Sequence, residues 1–149
     1  MNFSARARYS VRAILYLAKK GYLYPVTVSE ISQEEEIPRE YLERLLNHLK
    51  KRGLVRSFRG RQGGYMLSRP PEKITIEEVL QAAGENLLLV KCLVENISPC
   101  HRKEYCLAFP LWKMLREKFI EVLRSLTVQD LITWSGEERG PLHNYTFQI

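Results

Sequence analysis

The chain has 149 residues, of which 45% are hydrophobic and 27% charged, a composition that fits one soluble globular domain, with or without an appendage, and excludes a disordered chain. Its longest apolar stretches, Ala13 to Ala18 and Leu87 to Val90, fall far short of the roughly 20 residues of a membrane span. The net charge of +6 is one-sided: residues 1–70 carry 14 Lys/Arg against 6 Asp/Glu, and residues 71–149 carry 9 against 11.

Arg6, Arg8 and Arg12 ahead of a short apolar run imitate a signal peptide weakly, but Lys19 and Lys20 follow at once without a small-residue cleavage site. The expectation is a mature, cytosolic protein with no membrane partner. Ser4 caps a first helix that runs to about Lys20, buries Val11, Ile14, Leu15 and Ala18 as one stripe, and stops at Gly21. Thr27 opens a short second helix, and Glu30 three residues on completes a capping box. Pro38 suits the first turn of a third helix. There Leu42, Leu45, Leu46 and Leu49 repeat the helical stripe, and Gly53 ends it.

Two short helices joined by a tight turn make a helix-turn-helix or an ordinary helical hairpin, and periodicity does not separate the two. The next segment separates them better. Leu54 to Phe58 alternates like a strand, Gly60-Arg61-Gln62-Gly63-Gly64 is a turn, and Tyr65 to Leu67 reads as the return strand. That ribbon is a wing or a plain surface hairpin. From Arg44 to Arg69 there are eight Lys/Arg and no acidic residue, so the basic block spans third helix and ribbon together, as a duplex-binding surface requires. The expected DNA-facing residues are Ser29 on the second helix, Arg39, Glu40, Tyr41, Glu43, Arg44 and Asn47 on the third, and Arg59, Arg61, Gln62, Gly63, Gly64 and Tyr65 in the wing.

Beyond the wing, Thr75 with Glu78 forms a capping box for a helix to about Ala83, which Gly84 ends. Cys92, Cys100 and Cys106 then lie within 15 residues, and the chain has no other cysteine. The spacing C-x7-C-x5-C is neither a close-spaced pair nor a zinc ribbon, and an odd number argues against a self-contained disulfide framework. Three thiolates on one loop suit an iron–sulfur centre. Zinc with His101 as a fourth ligand is less suited, because His101 adjoins Cys100. Buried, inert cysteine is the plain alternative. A long helix follows from Pro110, and Leu111, Leu115, Phe119, Val122 and Leu126 form a seam for another helix, in a second copy or in its own domain. Thr127 caps a short last helix over Leu131 and Ile132.

The run YLERLLNHLKKRGLVRSFRGRQGGYMLSRPP from Tyr41 to Pro71, with Arg8-Tyr9-Ser10, Ile74 to Val79, Leu111-Trp112 and Leu126 to Leu131, resembles the bacterial family of iron–sulfur cluster regulators and nitric-oxide-sensing repressors. The resemblance covers residues 1 to 134. It implies a mainly α fold with a small β-wing: a winged helix-turn-helix over 1–83, a cysteine-bearing sensor loop over 84–109, a dimerisation helix and short terminal helix over 110–134, and a tail over 135–149. It also implies a homodimer on a double-stranded operator, acting as a repressor under control of an iron–sulfur cluster on Cys92, Cys100 and Cys106, 4Fe–4S ahead of 2Fe–2S. The chain departs from the family at the fourth ligand: one branch has a histidine where this chain has Phe109, and another draws an aspartate from the partner where this chain has Arg8. His101, Glu104 or an exogenous ligand remain, and an open iron would suit a sensor. No nucleophile–base–orienter set is evident, so neither an enzyme nor a small-molecule substrate is expected. The rival readings are a cluster-free member with a thiol switch or a partner protein, and a zinc-stabilised module with a basic face for a protein or a membrane.

Overall fold

A computed structural model describes residues 2–20, 24–93 and 100–136. The expected stop at Gly21, the middle of the cysteine segment and all but the start of the 135–149 tail lie outside them. The described residues form six helices and one two-stranded antiparallel sheet, the mainly α fold with a small β-wing that the sequence implies.

Helix α1 (Ala5–Lys19) is capped by Ser4, whose Oγ accepts from the Ala7 N–H at 3.1 Å. It packs against α3 (Arg39–Lys51), α4 (Ile76–Ala82), α6 (Val128–Gly136) and β2 (Gly64–Leu67). With neighbours on so many sides its buried face is not the expected stripe. Ala7, Ser10, Ala13, Ile14 and Leu17 are innermost, whereas Val11 and Leu15 are only partly buried. Small residues let a central helix approach its neighbours closely.

Helix α2 (Val28–Glu34) begins with half of the expected capping box. Thr27 Oγ1 accepts from the Glu30 N–H at 3.1 Å, but the Glu30 carboxylate takes the Tyr16 hydroxyl and the Lys20 ammonium, each at 3.0 Å. The Lys20 ammonium holds the Glu30 carboxyl below its ordinary range, against the opposing effect of burial. A cation and a phenol together outcompete one backbone N–H. Pro38 stands at the N-cap of α3, one residue before the expected first turn, and Leu42, Leu45, Leu46 and Leu49 are buried as expected.

Helices α2, α3 and α4 end alike. Ile37 N–H donates to Ser32 C=O, Leu54 to Leu49 and Glu85 to Leu80, while the residue before each donor closes the shorter loop. This double closure needs a left-handed residue. Gly53 and Gly84 supply it at φ +74 and +72, but Glu36 supplies it at φ +49 in the turn between α2 and α3. A side chain there is strained. Glu36→Gly is therefore expected to stabilise the fold by about 0.5–1 kcal/mol, read as a higher urea midpoint at unchanged slope. No gain would mean that the Glu36 side chain contributes something of similar size.

Strands β1 (Val55–Phe58) and β2 pair from Val55 opposite Leu67 to Phe58 opposite Gly64. Val26 adds a bridge to Tyr65, with N–H···O bonds of 2.9 and 2.8 Å in both directions, so the ribbon is stitched to the start of α2. Helix α4 has the complete capping box of Thr75 and Glu78. After the cysteine segment, α5 (Phe109–Ser125) leads into α6, which returns to pack on α1 and on the 3-10 turn Pro71–Lys73. Ile76 N–H donates to Leu126 C=O and Val128 N–H to Ile74 C=O, both at 2.9 Å. Arg124 grips the buried Glu77 carboxylate with two bonds of 2.6 and 3.2 Å.

Candidate nucleic-acid interface and cysteine segment

Opposite its leucine stripe, α3 exposes Glu40, Arg44 and Asn47, and Lys51 continues the same row one turn further. Lys51 was legible from the 4, 3, 4 spacing of these four residues, yet it is absent from the expected set. Arg39 is exposed and donates from Nε to Glu43 Oε1 at 3.1 Å. Both side chains are about half exposed, so the pair is weak and can open at little cost. Tyr41 differs from its expected place among the DNA-facing residues. It is half-buried, with its ring edge-on to Tyr9 at 5.8 Å, because the helical turn places it on the side toward α1.

Within the wing, Arg59, Arg61 and Gln62 are exposed. Gly60 takes φ +111. The other two glycines have packing reasons of their own. A Cβ on Gly63 would stand 2.5 Å from Phe58 O, and one on Gly64 would stand 2.3 Å from Val26 O. Tyr65 is half-buried beside them, and burial together with the Glu43 charge pushes its hydroxyl pKa up. Lys50 Nζ donates to Ser57 Oγ at 2.6 Å, and the Arg56 guanidinium lies over the exposed Phe58 ring at 5.3 Å. Lys50 and Arg56 thus extend the basic surface from α3 onto the wing. Both fall in the basic block but were not singled out from sequence.

Between the start of the helix-turn-helix and the wing runs a groove of about 440 Å³, lined among others by Thr27, Ser29, Arg39, Ser57, Arg59 and Arg61. A helix in a major groove and a ribbon in the adjacent minor groove are separated by one sugar–phosphate strand. This groove, with Arg39, Arg59 and Arg61 and the hydroxyls of Thr27, Ser29 and Ser57 along it, matches that strand in charge and hydrogen-bonding character. It also gives Ser29, distant in sequence from the basic block, a place beside the wing.

The three cysteines punctuate the segment between α4 and α5. Cys92 sits in the 3-10 turn Lys91–Leu93, and Cys106 follows the turn Lys103–Tyr105, three residues before α5. All three thiols, Cys100 included, are free and half-buried. In kind and number they fit an iron–sulfur core. They are not gathered, however: among the described residues no three His, Cys, Asp or Glu side chains converge as a metal site. His101 and Glu104 are exposed, as is Arg8. Phe109, in the resemblance's fourth-ligand position, lies under the Lys103 ammonium at 5.3 Å.

The beginning of this segment is tied to α1. Ser4 Oγ donates to Glu85 Oε2 at 2.5 Å, and the Arg6 guanidinium donates to Gly84 O at 3.2 Å. Phe3 stacks on Phe119 of α5 with 6.3 Å between centroids. Along α5 the expected seam divides. Phe119 and Leu126 pack inward on the core, whereas Leu111, Leu115 and Val122, with Met114, remain 40–53% exposed. At 100° per residue the 4, 4, 3, 4 spacing keeps all five within an arc of about 80°, with Phe119 and Leu126 on the edge turned to the core and Leu111, Leu115 and Val122 on the edge turned outward.

A tight helix pair whose second member shows a polar, basic face, followed by a basic ribbon, defines a winged helix-turn-helix, a class that reads duplex DNA. The chain belongs to the Rrf2 family, described as iron-dependent transcriptional regulators, and the match runs over residues 3–133. A putative HTH-type transcriptional regulator of Haemophilus influenzae is 36% identical over 140 residues, 93% of this chain and 91% of that protein. The HTH-type transcriptional regulator IscR of Erwinia tasmaniensis is 34% identical over 132 residues, 89% of this chain and 79% of that one. Among solved structures, CymR, the global cysteine regulator of B. subtilis, superposes with TM-score 0.73 at 31% identity, over 90% of this chain and 98% of that one. T. potens IscR gives 0.71 at 27%, over 97% of both chains. The protein is a DNA-binding transcriptional regulator, not an enzyme. Among the described residues no helix is long and apolar enough to cross a membrane.

Proposed function

We propose that the protein is a homodimeric repressor whose operator affinity is set by an iron–sulfur cluster held by Cys92, Cys100 and Cys106. The observation that carries this reading is the placement of all three free thiols on the one segment that joins α4 of the winged unit to α5. The relatives named IscR support the same reading. The exposed row on α5 offers a second copy an apolar face, and two recognition helices about 34 Å apart would then meet successive major-groove faces. When bound, the cluster supplies a redox-sensitive and ligand-sensitive tie between the three sulfurs. The chain's own residues carry the consequence. Ser4 and Arg6 link the start of the segment to α1, and Cys106 leads directly into α5, so a change in the segment bears on both units. Arg59 and Arg61 grip the duplex through the wing, and Glu43 tunes base choice.

The test is anaerobic reconstitution of the wild type and each Cys→Ala variant, with iron, sulfide and operator affinity measured together. Each variant is expected to lose iron, and cluster loss to change affinity between about 5- and 150-fold. Full iron content in all three variants, or the same affinity with and without the cluster, overturns the reading. Metal-free protein whose binding changes on thiol oxidation would point to a thiol switch instead.

A further inference from the structure

Arg116 is the anomaly on α5. Its Nε is buried and has no hydrogen-bond partner among the described residues. The carboxylates that line the grooves beside it are engaged elsewhere: Glu77 by Arg124, Glu85 by Ser4, Glu121 by Lys118, and Glu117, more loosely, by Lys113. A guanidinium donor shut away from water without a partner bears the full desolvation penalty of the group. A second copy packed on the exposed row does not remove that penalty, because Arg116 lies roughly 120° around the helix from Leu111, Leu115 and Val122.

What Arg116 does face is the cysteine segment. Across a groove of about 540 Å³ stand residues 84–88, which end four residues before Cys92. The turn Lys91–Leu93 rests on the same helix. At the other end of the segment Cys106 leads into Phe109, which lies seven residues before Arg116 and so on the same flank, two turns or about 10 Å away. Both ends of the segment therefore border the stripe that holds the buried Nε, which has no partner among the described residues. Lys91, Arg102 and Lys103 also lie in this segment, but all are exposed, and water screens them. Arg116 is half-buried, and its Nε is the donor that water does not reach.

We infer that Arg116 is the positioning cation of the cysteine segment, the counter-charge and hydrogen-bond donor for the anionic unit that three thiolates form with an iron–sulfur core. This rests on the reading proposed above and adds a residue that no ligand motif contains. Partners outside the ligand shell set both retention and potential at such centres.

The experiment compares wild type, Arg116→Met and Arg116→Lys. Metal-free Arg116→Met is expected to melt at or above the wild-type temperature, because an unpartnered buried donor has gone. After anaerobic reconstitution its visible absorbance is expected to decay under an iron chelator roughly 10-fold faster or more. Its reduction midpoint is expected to shift to more negative potential, since a nearby positive charge has been removed, and Arg116→Lys is expected to lie between. Equal retention at an unchanged midpoint overturns the inference alone. So does metal-free Arg116→Met that melts well below wild type with retention falling only in step, which marks a structural role. Wild type that takes up no iron overturns both this inference and the reading beneath it.

Discussion

Replacing Arg59 and Arg61 together with alanine is expected to abolish specific operator binding at physiological salt while leaving the melting temperature unchanged. Both side chains are exposed at the wing tip and neither forms a salt bridge among the described residues, so the fold does not depend on them. On DNA each arginine contributes about 1–3 kcal/mol. The pair thus controls roughly 1.5 to 4 decades of affinity, taking about 1.4 kcal/mol per decade. Phosphate contact and minor-groove insertion leave different marks. Each lost phosphate contact lowers the slope of log affinity against log salt by about 0.9. An arginine inserted in the minor groove instead changes the preference for narrow, A·T-rich steps. Titrations at several salt concentrations, on operators with different flanks, separate the two. Full affinity in the double variant would remove the wing from the interface.

Gly64→Ala has the second large effect, and it reaches DNA through the fold. The added Cβ would stand 2.3 Å from Val26 O and 2.6 Å from Val26 C, both backbone atoms. Neither can rotate away as a side-chain tip would. The Val26–Tyr65 bridge, with both of its hydrogen bonds, has to open, and the wing comes away from the start of α2. Overpacking costs about 1–3 kcal/mol, and two lost hydrogen bonds add about 1 kcal/mol each. Calorimetry is therefore expected to show a marked drop in melting temperature, together with loss of operator binding. If Gly64 served only to let a duplex approach, alanine would weaken binding with the melting temperature intact. That outcome would reject the packing argument.

Much of this arrangement is legible in the sequence because local chemistry dictates it. The leucine stripe of α3, the Gly53 and Gly84 stops and the Thr75–Glu78 box depend on residues within one or two turns of each other, and the structure has all of them. The departures involve residues far apart along the chain. Glu30 leaves its capping role because Tyr16 and Lys20 stand on another helix, and Tyr41 turns toward α1 because Tyr9 is there. The α1 stripe shifts because α6, over 100 residues away, closes one of its sides. Among site residues the basic block was visible as composition, but the groove that brings Ser29 and Arg39 beside the wing arises only in three dimensions. Arg116 carried no signal in the sequence: an arginine in an amphipathic helix looks solvated until its burial is known.

The fastening of α5 has a mechanical consequence. At its C-terminal end Arg124 holds Glu77, Leu126 accepts from Ile76, and Val128 donates to Ile74. At its N-terminal end no side chain caps the helix, and Leu107 just before it is 98% exposed. Were the helix to tilt, its fulcrum would lie at residues 124–128, where these bonds hold it. Seventeen residues make an arm of roughly 25 Å, so a tilt of about 10° carries the tip some ~4 Å while the fulcrum barely travels. Cys106 rides at the tip, and α4 of the winged unit is bolted to the fulcrum. A displacement at the cysteine segment would thus reach the winged unit as a smaller turn.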